Sequence, residues 1–172
     1  ITVLGTDHLH GAEHTVGADR IEAGTFLIAG AATHGDVTVR DVNPEHLSAL
    51  LTKLSEAGAE IETFGTRVRA RATNGFKGID VITAPYPGFP TDLQAQIMAM
   101  LCVANGVSVI KETVFENRFM QVAELARMGA RIDLDGNTAI VHGVPALSGA
   151  PVMASDLRAS AALVIAGLIA ER

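Results

Sequence analysis

Hydrophobic positions along the chain fall into three patterns, each predicting a different element. After Asn43-Pro44, the residues Leu47, Leu50, Leu51 and Leu54 recur at i, i+3, i+4 and i+7, which is one apolar face of a helix. Asn43 reads as its N-cap, Pro44 as its first helical residue and Gly58 as its stop. Ala59 to Thr63 then reads as a strand. The same order returns 71 residues later: Phe119, Val122, Leu125 and Ala126 form a second stripe, Gly129 takes the place of Gly58, and Ala130 to Asp133 repeats the strand. Gly35 to Val39 falls on Gly106 to Ile110 at the same offset. Two hairpins close these stretches. One follows Phe64-Gly65 into the alternating Arg67 to Ala72, and the other follows Asp135-Gly136-Asn137 into Thr138 to Val141.

The third pattern has no polar face. From Thr91 to Ala104, ten of fourteen residues are apolar and the only charge is Asp92 in the first turn. Gly24 to Thr33 and Ser155 to Ala170 have the same character, so all three are predicted to be helices buried on every side. Thr91 and Ser155 read as N-caps of two of them, just ahead of Asp92 and Asp156. The expected fold class is α/β, an inside-out α/β barrel of repeated βαβαββ-type units. Two units are expected, at about 19–72 and 79–142, with a truncated third at 143–172, all within one partial domain spanning 1–172. An open barrel of this kind exposes apolar helix faces and favours self-association. Ile1 to Leu4 is strand-like and Glu171-Arg172 follows a helical run directly, so both ends are expected to lie inside a longer protein.

Composition narrows the function. Hydrophobic residues make up 48% and charged residues 19%, which excludes a disordered chain. Aromatics are 4%, so the core is aliphatic. The net charge of -6 argues against nucleic acid or an anionic membrane as the main partner. No apolar run reaches the roughly 20 residues of a membrane-spanning helix, and no signal peptide is evident. The single cysteine, Cys102, excludes an internal disulfide and reads as an inert core thiol. Asp7, His8, His10 and His14 cluster without a further ligand in reach, so no metal is expected. No dinucleotide, P-loop or standard hydrolase motif occurs, and no cofactor is expected. Arg67, Arg69 and Arg71 read as the wet side of an edge strand.

Three places concentrate chemistry. The loop Ala84-Pro85-Tyr86-Pro87-Gly88-Phe89-Pro90 is stiffened by its prolines and delivers Asp92 to a helix start. There Asp92 reads first as a capping carboxylate and second as a general base. Lys111 to Arg118 crowds charge after an apolar strand. It reads as a solvated loop with Asn117 as helix cap, or as a binding loop that offers Arg118 to a carboxylate or phosphate. Arg158, one turn into an apolar helix, either pairs with Asp156 or faces an anionic substrate.

Four blocks together resemble a known family. They are Ala18 to Phe26 (ADRIEAGTF), Phe89 to Gln96 (FPTDLQAQ), Glu112 to Phe119 (ETVFENRF) and Leu147 to Ser160 (LSGAPVMASDLRAS). In this order they resemble the enolpyruvyl transferases, and among them the UDP-N-acetylglucosamine 1-carboxyvinyltransferases, over the whole chain. The related shikimate-pathway enolpyruvyl transferases share the fold but are not expected to carry the first and third blocks together. A non-catalytic folding or interaction module derived from the family is the other alternative. The resemblance implies transfer of enolpyruvyl from phosphoenolpyruvate to the 3-hydroxyl of UDP-N-acetylglucosamine with release of phosphate, the first committed step of peptidoglycan synthesis, in the cytoplasm. It implies Asp92 as the catalytic base touching that hydroxyl, Val114 as a main-chain contact to the sugar nucleotide, Arg118 and Arg158 as cleft-lining arginines and Asp156 as an aspartate near the reacting centre. It also implies that the chain is less than half of a family member. A first domain with a reactive cysteine and the groups that hold phosphoenolpyruvate has no counterpart here, nor does the last part of the second domain. The chain alone is therefore expected to be inactive.

Overall fold

The computed structural model describes residues 1–72, 74–154 and 156–171. In chain order the elements are α1 (Arg20–Ala32), β1 (Asp36–Val39), α2 (Ser48–Ala57), β2 (Glu60–Phe64), β3 (Arg67–Arg71), β4 (Val81–Ile82), α3 (Gln94–Leu101), β5 (Val107–Lys111), α4 (Gln121–Arg127), β6 (Arg131–Asp135), β7 (Thr138–His142), β8 (Leu147–Ser148), α5 (Leu157–Ile169) and β9 (Ala170–Glu171). Short 3₁₀ turns at Pro44–Leu47 and Thr91–Leu93 lead into α2 and α3. Asn43 caps the first of these turns, its side chain accepting from the Glu45 N–H at 3.0 Å. Gly58 and Gly129 both adopt the left-handed conformation, with φ of 114° and 90°, where a side chain would be strained.

The repeat extends to strand register. Glu60 lies opposite Arg71 in the β2–β3 hairpin, and Arg131 lies opposite His142 in β6–β7, each partner shifted by the same 71 residues. Asp36 opposite Arg71 is matched by Val107 opposite His142. Both hairpins turn through two residues, Gly65-Thr66 and Gly136-Asn137, so Asp135 ends its strand and does not enter the turn. The sheets are ordered β1-β3-β2, β4-β5-β7-β6 and β8-β9. β4 runs parallel to β5 across α3, and β8 parallel to β9 across α5, because a parallel pair needs a crossover of this length.

Four expectations change. The arginine-rich β3 is the central strand of its sheet and not its edge, since β1 and β2 both pair with it. Its wet face holds cross-strand ion pairs, Arg69 with Asp36 and Glu62, and Arg71 with Glu60. Ile1 to Leu4 forms no strand: residues 1–19 carry no helix or strand, and no ladder partner faces them among the described residues. The third run continues past its helix into β9. On α4 the buried positions are Gln121, Val122 and Leu125, with Met128 just beyond, while Ala126 is exposed.

The core centres on α3. Every residue from Gln94 to Leu101 is buried, the two glutamines included, and α3 packs against both α1 and α5. α1 and α5 are buried on one side only. Phe26, Leu157, Val164 and Leu168 face outward, so the expectation of burial on all sides holds for α3 alone. Cys102 follows α3 inside this core, and burial pushes its thiol up to about 12. Truncating Leu101, which is fully buried, to Ala leaves a cavity in this core. Denaturant unfolding is expected to show a loss of about 2–5 kcal/mol. Among the described residues no helix is long and apolar enough to cross a membrane.

Candidate functional site

Three chain segments meet at the N-terminal end of α3. β4 and the proline-rich loop carry Thr91 and Asp92 there, and the loop between β5 and α4 brings Val114 to Arg118. The start of α5 brings Asp156 and Arg158. The neighbouring groups enclose a cleft of about 500 Å³ whose walls include Asp92, Phe115, Asn117, Arg118, Asp156 and Arg158.

Asp92 is not a helix cap. Its turn has Pro90 at the N-cap position and no capping side chain. The carboxylate instead takes two guanidinium groups on one oxygen: Arg158 Nε donates to Oδ1 at 2.8 Å and Arg118 Nη2 at 3.0 Å. Among the described residues Oδ2 accepts no hydrogen bond. Gln96 fixes the turn from below, its Nε2 donating to the Asp92 carbonyl at 2.9 Å and to Thr25 Oγ1 at 3.2 Å.

Arg118 is held on three sides. Nη1 donates to Thr91 Oγ1 at 3.1 Å, Nη2 donates to Asp92, and the guanidinium carbon lies 4.7 Å from the centre of the Phe115 ring. Arg158 does not pair with Asp156, as one reading of the sequence expected. Asp156 is the N-cap of α5, its Oδ1 accepting from the backbone N–H groups of Arg158 at 2.8 Å and Ala159 at 3.0 Å. That local capping occupies Asp156, and the Arg158 side chain extends across the cleft to Asp92. Ser155, expected as the cap, lies outside the described residues. Val114 donates its N–H to Glu112 Oε1 at 2.8 Å and is partly buried, while its neighbours Phe115 to Arg118 line the cleft.

Several residues at the site were given another role, or none, from the sequence. Thr91, expected as an N-cap, sends its hydroxyl to Glu112 Oε2 at 2.8 Å. Glu112 is buried and Thr83 donates to its Oε1 at 2.8 Å. Asn117, expected as a helix cap, is in the left-handed region with φ of 53° and lines the cleft, whereas Met120 stands at the start of α4. Gln94 and Gln121 are buried against the cleft and bonded to each other at 3.2 Å. A charged loop with a β-branched run gives no local signal for these partners, which lie more than twenty residues apart in sequence. Among the described residues no group of His, Cys, Asp and Glu is arranged to hold a metal, the Asp7, His8, His10 and His14 segment included.

The electrostatics follow from this geometry. Burial alone would raise the Asp92 pKa. The hydrogen bond and charge of Arg158, and then those of Arg118, outweigh burial and hold the carboxyl below the usual carboxylate range. Arg158 is raised in turn, chiefly by its hydrogen bond to Asp92. Because the folded pKa is depressed, the stabilisation is complete above the ordinary carboxylate pKa and is lost as pH falls through the folded value. A carbon-NMR titration of the Asp92 carboxyl is therefore expected to give a midpoint below 3.8. Arg158→Ala should raise that midpoint more than Arg118→Ala; an unshifted midpoint in both would contradict the pairing.

Comparisons with known proteins identify the family. The sequence profile described as EPSP synthase (3-phosphoshikimate 1-carboxyvinyltransferase) matches residues 1–172, the entire chain. The chain belongs to the EPSP synthase family. Within the family it is 56% identical over 172 residues to the UDP-N-acetylglucosamine 1-carboxyvinyltransferase of Magnetococcus marinus, covering 99% of this chain and 41% of that protein. It is 59% identical over 171 residues to the protein of the same name from an Anaeromyxobacter species, covering 99% of this chain and 40% of the relative. The chain thus spans about two fifths of the length of these relatives and the family's inside-out α/β fold is reached in part. The crystal structure of the enolpyruvyl transferase NikO from Streptomyces tendae superposes with a TM-score of 0.76 at 25% identity, over 90% of this chain and 37% of NikO. An EPSP synthase from Acinetobacter baumannii superposes with a TM-score of 0.69 at 19% identity, over 92% of this chain and 38% of its own, and shares the fold.

Proposed function

We propose that this chain is the Asp92-bearing part of an enzyme that transfers enolpyruvyl from phosphoenolpyruvate to the 3-hydroxyl of UDP-N-acetylglucosamine, releasing phosphate, in the cytoplasmic first step of peptidoglycan synthesis. The observation that carries the reading is the convergence of Arg118 and Arg158 on one oxygen of Asp92 inside a cleft. Asp92 Oδ2 accepts the proton of the sugar hydroxyl as the hydroxyl oxygen bonds to the enolpyruvyl carbon; the bond from that carbon to the phosphate oxygen breaks, and the proton leaves with the phosphate. The arginines hold the carboxylate ionised before substrate arrives and are placed to meet the negative charge of phosphate or carboxylate groups. Asp156 orients Arg158 through the helix cap, and the loop at Val114 lies along the cleft wall. In this reading the chain supplies one side of the site and is inactive alone, the groups that hold phosphoenolpyruvate belonging to sequence outside these 172 residues.

The choice of acceptor sugar is supported by the identity of 56% and 59% to relatives bearing that name, against 19% to the solved EPSP synthase. The test is phosphate release by the full-length protein with phosphoenolpyruvate and each candidate acceptor. Release dependent on UDP-N-acetylglucosamine is expected. Release with shikimate 3-phosphate in its place would move the assignment to the other branch of the family, and release with neither would favour a non-catalytic module.

A further inference from the structure

We infer that Glu112 is a positioning residue that sets the aim of Arg118 through the hydroxyl of Thr91, an inference that rests on the proposed use of the Asp92 cleft. Glu112 is 1% exposed and does not line the cleft. Its carboxylate accepts four hydrogen bonds. On Oε1 they come from the Thr83 hydroxyl at 2.8 Å, the Val114 N–H at 2.8 Å and the Phe115 N–H at 3.1 Å; on Oε2, from the Thr91 hydroxyl at 2.8 Å. A buried carboxylate is costly unless its lone pairs are engaged, and here both oxygens are.

The consequence lies in the Thr91 proton. A hydroxyl has one proton to give, and Glu112 takes it. The remaining lone pairs of Thr91 Oγ1 then face Arg118 Nη1 at 3.1 Å, which can only donate. With one arm of the guanidinium fixed, the other meets Asp92 at 3.0 Å. The same carboxylate gathers the N–H groups of Val114 and Phe115, the loop that carries Arg118 and the Phe115 ring beneath it. Glu112 therefore orients the cationic side of the cleft without touching its contents. Its backbone is itself anchored, its N–H donating to the Asn137 carbonyl at 2.8 Å and its own carbonyl accepting from Asn137 Nδ2 at 2.9 Å.

Changing Glu112 to Gln separates orientation from packing. The amide oxygen can keep the three contacts of Oε1, but an amide nitrogen in the place of Oε2 donates to Thr91 Oγ1. The Thr91 proton is then released from Glu112 and the amide takes one of the two lone pairs of Oγ1, so the lone pair that faces Arg118 is no longer fixed on it. Thr91→Val removes the acceptor outright, and Thr91→Ser retains it.

The experiment uses the full-length protein and two readouts. The first is nitrogen–proton NMR of the Arg118 guanidinium. Separate Nη signals, reflecting hindered rotation, are expected in the wild type and in Thr91→Ser, and averaged signals in Thr91→Val and Glu112→Gln. The second is UDP-N-acetylglucosamine-dependent phosphate release. There kcat/KM is expected to fall by about tenfold or more in Thr91→Val and in Glu112→Gln, with no further fall in the double variant, because both break one relay. Thr91→Ser should stay within about threefold of the wild type. Additive losses, or separate Arg118 signals retained in Thr91→Val or Glu112→Gln, would overturn the inference. A wild type that releases no phosphate overturns the enolpyruvyl reading instead, and the Arg118 signals still decide the role of Glu112.

Discussion

Replacing Asp92 by Asn in the full-length protein is expected to lower kcat for enolpyruvyl transfer by about 10²- to 10⁴-fold, the range for loss of a general base. Asn has the shape of Asp and keeps an oxygen for the two arginines, so the turn before α3 should persist. It cannot accept the hydroxyl proton. It also leaves Arg118 and Arg158, both now aimed at Asp92 Oδ1, without a countercharge. An anionic ligand then faces less competition for them, and its affinity should hold or rise while turnover collapses. That split between binding and kcat distinguishes a catalytic carboxylate from one that only organises the cleft. Turnover near that of the wild type would remove Asp92 from the chemistry.

A large loss of stability is expected at Gly143. A methyl group there would lie 1.6 Å from the Ala104 carbonyl oxygen and 3.2 Å from that of Gly106. Both are backbone atoms, tied in place on either side. Gly143 donates to the Gly106 carbonyl at 3.0 Å and Val144 to the Cys102 carbonyl at 2.7 Å, which seals the chain after β7 onto the segment leaving α3. No side-chain rotation relieves such an overlap, so the two segments must separate. Gly143→Ala is expected to cost about 3 kcal/mol or more by denaturant unfolding, at the upper end of overpacking effects. Gly24→Ala provides the contrast. Its methyl would meet the flexible ends of Leu93 and Leu50 at 2.5 and 2.9 Å, which can turn aside. The better helix propensity of Ala offsets part of that cost. Equal stabilities for the two variants would contradict the packing described.

The parts of this fold written in local pattern were the parts legible in the sequence. The Leu47–Leu54 stripe, its Asn43 cap and the Gly58 and Gly129 stops depend on neighbours within a turn or two, and the structure contains each of them. The 71-residue repeat was legible because hairpin register follows from strand length and turn. β8 and β9 were not, because two-residue strands have no periodicity and exist only through their pairing across α5. The exposed sides of α1 and α5 show the same limit, since an apolar helix states that it wants cover and not what covers it.

At the site, Asp92, Arg118 and Arg158 were all singled out, but their geometry was not. Arg158 reaches across 66 positions to Asp92 because Asp156, its close neighbour, is already occupied by the N–H groups of α5. Glu112 looks in sequence like one more charge in a solvated loop. Only the tertiary arrangement shows it buried, with Thr83 reaching it from 29 positions away and Thr91 from 21. Its signal, a lone carboxylate between an apolar strand and a pair of backbone N–H groups, is too short to be distinctive.

The most direct measurement is amide hydrogen exchange of the full-length protein with and without UDP-N-acetylglucosamine. If the Asp92 cleft takes the sugar nucleotide, exchange should slow at 91–94, 114–118 and 156–159, the three segments that carry its walls, and stay unchanged in the β2–β3 hairpin, none of whose residues lines it. Binding that leaves those three segments unprotected would place the sugar nucleotide elsewhere and contradict the account.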